Sequence, residues 1–198
     1  MNFLAHAYLS GSREKLLVGN FIADFVKGRT ALQQFEGEIK RGILLHRSID
    51  AFTDSHPTVA LSKDRLRANY RHYSSVIVDV FYDHFLAKNW RTYHPVPLEY
   101  YASDVYRIIN ENFDRIPLKV QEFFPYMERG NWLLSYSRIE GIGRALTGMS
   151  RRTPYDSRMD GSVNDLIRHY DDFQSEFEIF FPLLVRHVKQ YLSSQNGE

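Results

Sequence analysis

Cysteine is absent from all 198 residues. That excludes disulfides, thiolate metal ligands and a cysteine nucleophile, and leaves Asp, Glu, His, hydroxyl and backbone groups as the available ligands. A charge excess is missing too. The 25 Lys and Arg against 24 Asp and Glu give a formal charge of +1, which argues against a general nucleic-acid binder, whose phosphate contacts demand a basic surplus. No segment is apolar for 18 residues, and the start, MNFLAHAYLSGSREKLL, lacks a basic leader followed by a long apolar run. The expectation is a soluble, cytoplasmic protein without a membrane partner. Also missing are the G-x-x-x-x-G-K-[ST] loop, the G-x-S-x-G elbow, the dinucleotide glycine fingerprint and the H-E-x-x-H zinc motif.

What the chain does have is helical periodicity. Leu32, Phe35, Ile39, Ile43, Ile49 and Phe52 recur at spacings near three and four, as do Phe173, Phe177, Phe180, Leu184, Val188 and Leu192. The strand-like Val76-Ile77-Val78 leads into Asp79 to Leu86, whose polar groups repeat at helical spacing, so it too reads as helix. Breaks at Gly11, Gly28, Pro57, Pro95, Pro97, Pro117 and Pro154 cut the chain into roughly eight to ten helices. Pro182 predicts a kink or two helices meeting at Phe181, and the tail after Leu192 reads as frayed. The 14 Phe and 13 Tyr are read as core ridges and half-buried packing. Residues 1–198 fit one all-α domain, a globular helical bundle.

Four polar runs interrupt the apolar pattern. His46-Arg-Ser-Ile-Asp50 places an imidazole and a carboxylate one helical turn apart, able to converge on one ion, although such a pair is also an ordinary feature of helix surfaces. Asp79-Val-Phe-Tyr-Asp83-His84 repeats the device with two carboxylates inside apolar sequence. Ionised carboxylates at that spacing repel, and their burial is costly unless cations or hydrogen bonds compensate. A divalent ion, solvation or an Arg partner would each answer that requirement. Gly19-Asn20-Phe-Ile-Ala-Asp24-Phe25 sets a lone carboxylate among apolar residues, where it requires a partner. His6 stands in similar company, as a site residue or as a core histidine bonded to a backbone carbonyl. Asp and His together, without thiolates, select a hard or borderline ion, Mn2+ or Mg2+ ahead of zinc. Such sites suit activation of water and clamping of phosphate oxygens.

In these residues the chain resembles the acyl carrier protein phosphodiesterases, or ACP hydrolases, distant and atypical relatives of the HD phosphohydrolases. The carrying blocks are MNFLAH, GNFIADFVKG, GILLHRSIDAFTD, DVFYDHFLAKNW, NWLLSY and ALTGMSRR, in order over nearly the full length. The resemblance implies an HD-domain-like helical fold, a manganese requirement, and removal of 4'-phosphopantetheine from holo acyl carrier protein. An adjacent His-Asp pair is missing and Asp83-His84 stands in reversed order, so the site residues are carried by the matching blocks and not by the HD motif. Those residues are His6, Asp24, His46, Asp50, Asp79, Asp83 and His84. Asp24, His46, Asp50, Asp79 and Asp83 are the expected metal ligands; Asp79, with His6 or His84 as general acid, the expected catalytic groups.

An acidic carrier requires a basic docking patch on a nearly neutral enzyme. Arg65, Arg67 and Arg71 offer one stripe, and Arg144, Arg151, Arg152 and Arg158 another; either also reads as a solvated face. Two other readings stay open. One is an HD-type phosphohydrolase of nucleotides or other small phosphoesters; the other is a noncatalytic helical binding protein.

Overall fold

The proline and glycine breaks fall at half of the helix junctions in the computed structural model, which describes residues 1–195. Every regular element among the described residues is helical, as the periodicity predicts. In chain order these are α1 (Phe3–Leu9), α2 (Glu14–Ile22), α3 (Gly28–Leu32), α4 (Gly37–Ser55), α5 (Pro57–Tyr70), α6 (Ser74–Lys88) and α7 (Trp90–Tyr93), then α8 (Leu98–Glu111), α9 (Leu118–Arg129), α10 (Trp132–Ser135), α11 (Ile139–Ser150), α12 (Val163–Arg168) and α13 (Tyr170–Ser194). The helices exceed the eight to ten expected because α3, α7, α10 and α12 span only four to six residues. Runs that short do not complete enough turns to show a period of 3.6.

Local chemistry explains several boundaries. Pro57 opens α5, where its missing N–H is not needed, and His56 caps the helix by accepting a bond from the Thr58 N–H at 3.2 Å. Gly11 takes φ +62° in the turn from α1 to α2, a conformation that disfavours any side chain. The β-branched run Val76 to Val78 is helical within α6, with Ile77, Val78 and Val80 buried. Helix α13 runs unbroken through Pro182, rather than dividing at Phe181, and ends at Ser194. The proline leaves the Glu178 carbonyl without an intrahelical donor, at an exposed position on the helix. Of the tail expected to fray, Asn196, Gly197 and Glu198 lie outside the described residues.

The core runs through the middle of this arrangement. Phe81 and Phe85 of α6 pack with Phe173, Phe177, Phe180 and Phe181 of α13, all fully buried, with Phe81 and Phe173 centroids 5.1 Å apart. Each such ring contributes about 2–3 kcal/mol by leaving water. The most extensive helix pair is α2 on α4. Gly19 and Gly42 meet at that crossing. A Cβ on Gly19 would overlap the Ile39 carbonyl, and one on Gly42 would overlap the Leu16 carbonyl. The two glycines thus let backbones touch, and they seat Asn20 of α2 directly against His46 of α4.

Candidate metal centre

Helix α4 carries His46 and Asp50 at a spacing of four, so both leave the same face. Against that face lie His6 from α1 and Asp24 from a short 3₁₀ turn, Ala23–Phe25, which follows α2. His46 Nε2 is 3.1 Å from Asp50 Oδ2 and 3.3 Å from Asp24 Oδ1, and His6 Nε2 is 3.3 Å from Asp50 Oδ1. The two imidazoles stack with centroids 3.9 Å apart and planes inclined by 15°. One ligand atom each from His6, His46 and Asp50 lie within 4.8 Å of one another. The histidines are buried, whereas the Asp24 side chain is 65% exposed and that of Asp50 40% exposed, so the cluster opens to solvent on its carboxylate side.

Every ring nitrogen in this cluster faces oxygen. His6 Nδ1 is 2.8 Å from Asn20 Oδ1, and its Nε2 is also 3.2 Å from the Met1 carbonyl; His46 Nδ1 is 2.8 Å from the Asn20 carbonyl. Satisfying all of those acceptors with protons would make both stacked rings cationic, which their separation disfavours. The pair splits instead. Burial opposes a charge on His46, but hydrogen bonds to Asp24 and Asp50 outweigh it and raise the pKa to about 9. Burial and the neighbouring His46 charge lower that of His6 to about 4. Burial also opposes ionisation of Asp50, yet His46 and His6 hold its carboxyl well below the ordinary range. The hydrogen bond from His46 likewise lowers Asp24. Two imidazole nitrogens and a carboxylate within 4.8 Å of one another make a donor set that fits a divalent ion with mixed nitrogen and oxygen preference, which would take the place of the proton His46 now shares with Asp24 and Asp50.

The structure brings together four of the seven residues expected from sequence: His6, Asp24, His46 and Asp50. Asp79 lines the cavity that opens beside this cluster, where its Oδ1 lies 2.8 Å from the Met1 ammonium; burial raises its pKa against the pull of that cation. Asp83 is elsewhere. It is fully buried and accepts main-chain N–H bonds from Leu4 at 2.8 Å, Asn2 at 3.2 Å and Ala5 at 3.3 Å, capping α1. His84 points about 100° further around α6. Its Nδ1 donates to the Tyr136 carbonyl at 2.8 Å, and its Nε2 lies 2.8 Å from the Tyr170 hydroxyl. Neither residue joins the His6, His46 and Asp50 group.

Beside the cluster is a cavity of about 910 Å3 whose lining includes Asp24, His46, Asp50 and Asp79, an aromatic wall of Phe3, Phe25, Phe123 and Trp132, and the cations Lys119 and Arg152. A shallower opening of about 510 Å3 reaches Asp24, His46 and Asp50 between Lys27 and Arg47. The sequence reading missed Lys119, Phe123 and Trp132 as cavity residues. Nothing local to their helices marks them, because four separate segments must fold together before the wall exists. It also passed over Asn20, although a polar side chain between Gly19 and Phe21 in an apolar helix was a usable signal.

A family model described as acyl carrier protein phosphodiesterase matches residues 1–184. Among curated proteins of that name, one from Photorhabdus laumondii is 35% identical over 186 residues, covering 93% of each chain. One from Pectobacterium atrosepticum is 33% identical over 190 residues, with 96% of this chain and 98% of the relative covered. A third, from Enterobacter sp., is 34% identical over 194 residues with the same coverage. No solved structure gives a significant match. By the extent of the family match and the near-complete coverage of these relatives, the chain belongs to the acyl carrier protein phosphodiesterase family of enzymes.

Proposed function

We propose that the protein hydrolyses the phosphodiester that joins 4'-phosphopantetheine to a serine of holo acyl carrier protein, releasing apo carrier, and that it does so with a divalent ion, Mn2+ by preference, held by His6, His46, Asp50 and Asp24. The observation that carries this reading is the convergence of two imidazole Nε2 atoms on Asp50. The relatives' name supplies an acyl carrier protein and a phosphodiester, and the resemblance of the sequence blocks supplies the phosphopantetheine linkage. When bound, the ion would supply positive charge that polarises a phosphoryl oxygen and makes water nucleophilic near neutral pH.

The chain's own residues account for the rest. Asp79 lines the cavity, is close enough to Asp50 for their charges to interact, and is raised by burial. It is therefore the carboxylate placed to take the proton of the attacking water. Water adds to phosphorus, the bond from phosphorus to the serine oxygen breaks, and that oxygen regains a proton as the carrier's hydroxyl. Lys119 and Arg152 have no carboxylate partner among the described residues and face the same cavity, so they are free to meet phosphate or the acidic carrier. The aromatic wall gives the pantetheine arm an apolar surface away from water.

Mass spectrometry of holo carrier incubated with enzyme and Mn2+ tests this. The expected result is loss of the whole phosphopantetheine group, abolished by chelation and by His46→Ala. An unchanged carrier mass alongside hydrolysis of nucleotides would reassign the substrate to a small phosphoester. No turnover and no ion uptake would leave a noncatalytic binding protein.

A further inference from the structure

We infer that Asn20 is a positioning residue that fixes both imidazoles of the centre in one tautomer and aims their Nε2 atoms at Asp50; the inference rests on reading His6, His46 and Asp50 as a divalent-metal centre. Asn20 is fully buried on α2. Its amide orientation follows from its neighbours. The Nδ2 group lies 2.9 Å from the His6 carbonyl and 3.0 Å from Ser10 Oγ, and Ser10 Oγ donates its own hydrogen to that same carbonyl at 2.9 Å. Two oxygens with lone pairs on offer require the donor end of the amide. The acceptor end, Oδ1, is then the atom 2.8 Å from His6 Nδ1, so that nitrogen carries a hydrogen.

The main-chain carbonyl of the same residue does the equivalent for His46. It lies 2.8 Å from His46 Nδ1 and can only accept. One residue therefore sets a hydrogen on Nδ1 of both rings and turns both Nε2 atoms toward Asp50; His46 Nε2, which donates to Asp50 and Asp24 in the metal-free chain, would yield its proton to an incoming ion, leaving the Nδ1–H state that a metal ligand requires. The Gly19 to Gly42 contact keeps this residue close enough to reach both helices.

The arrangement predicts unequal effects from two substitutions. Asn20→Leu keeps the main-chain hold on His46 but removes the acceptor for His6, and should weaken Mn2+ binding by about 10–100-fold, the range typical of lost outer-shell partners. Asn20→Asp keeps an acceptor toward His6 Nδ1 and should stay within about tenfold of wild type. Calorimetric titration of metal-free protein with Mn2+ reads both, with circular dichroism reporting the folded fraction. Long-range 1H–15N spectra of the metal-free wild type at pH 7 provide a test that needs no variant, with His6 expected as the Nδ1–H tautomer. An Nε2–H tautomer at His6, or undiminished Mn2+ affinity in folded Asn20→Leu, overturns the role of Asn20. Failure of the wild type itself to take up Mn2+ overturns instead the metal reading on which that role depends.

Discussion

Three main-chain N–H groups at the start of α1 converge on Asp83, whose side chain has no access to water. Removing that carboxylate strands the donors in an apolar interior, and each stranded donor costs about 1–3 kcal/mol where water cannot replace the acceptor. Two of the three donors, on Leu4 and Ala5, are fully inside, so Asp83→Ala is expected to lose about 2–6 kcal/mol of stability. The measurement is a lowered urea midpoint with an unchanged slope. His84, its neighbour, is a different case. Burial lowers its pKa from 6.5, with the Lys88 charge acting in the same direction against the bond to Tyr136. The unfolded chain takes up a proton at this residue from about pH 6.5 downward while the folded chain resists it, so its contribution is complete above pH 6.5 and is lost as the pH falls. His84→Gln, which can supply a donor and an acceptor of its own, should show a shallower loss of stability between about pH 6.5 and 5. It should also retain turnover within a few-fold; a thousandfold loss would make His84 the general acid after all. From sequence, Asp79, Asp83 and His84 formed one polar run. Their division between cavity, cap and core depends on which chain segment crosses α6 at each turn, and that is not a local property.

Helices α2 and α4 carry most of the candidate centre, with Asn20 and Asp24 coming from the α2 side and His46 and Asp50 from α4, and α1 adds His6. The close approach at Gly19 and Gly42 sets their separation. Gly42→Ala forces a methyl group against the Leu16 carbonyl and the Gly19 Cα, which are main-chain atoms with no rotamer to escape into. The helices must move apart, at about 1–3 kcal/mol or more, and the Asn20 carbonyl must leave His46. Thermal unfolding and Mn2+ titration of Gly42→Ala should therefore fall together, whereas Gly148→Ala, where an added methyl within α11 meets nothing within 4 Å, should leave Mn2+ binding unchanged and raise stability by up to about 1 kcal/mol. The elements themselves were largely readable. Period and punctuation gave α4, α6 and α13, and the spacing of His46 and Asp50 gave one edge of the site. The short helices were not readable, because tertiary packing holds those segments against their own local preferences, and of the two courses Pro182 left open for the last helix the division at Phe181 does not occur.

Across the whole molecule, the near-neutral charge conceals an uneven distribution. The arginine stripe on α5 is largely neutralised. Arg65 lies 2.8 Å from Glu176, with Asp172 nearby, and Arg67 lies 3.1 Å from Asp64. In the other stripe Arg158 pairs with Asp156, while Arg152 sits over the Trp132 ring at the cavity. The sequence offered both stripes equally, since it shows where arginines recur but not which acids fold onto them. An acidic carrier entering the cavity would meet Lys119 and Arg152, which carry no ion pair among the described residues although Glu122 lines the same cavity, and attraction there acts on encounter more than on the chemical step. Reversing both charges, in Lys119→Glu with Arg152→Glu, should raise KM for holo carrier by about tenfold at low salt with little change in kcat. The penalty should shrink as added salt shortens the screening length toward a few ångströms. Arg67→Glu, at a 68% exposed position outside the cavity lining, serves as the control for global charge and should leave KM within about twofold. Equal KM values for the double reversal and the wild type across the salt series would move the docking surface away from this cavity. An equal rise in the control would reduce the effect to net charge alone.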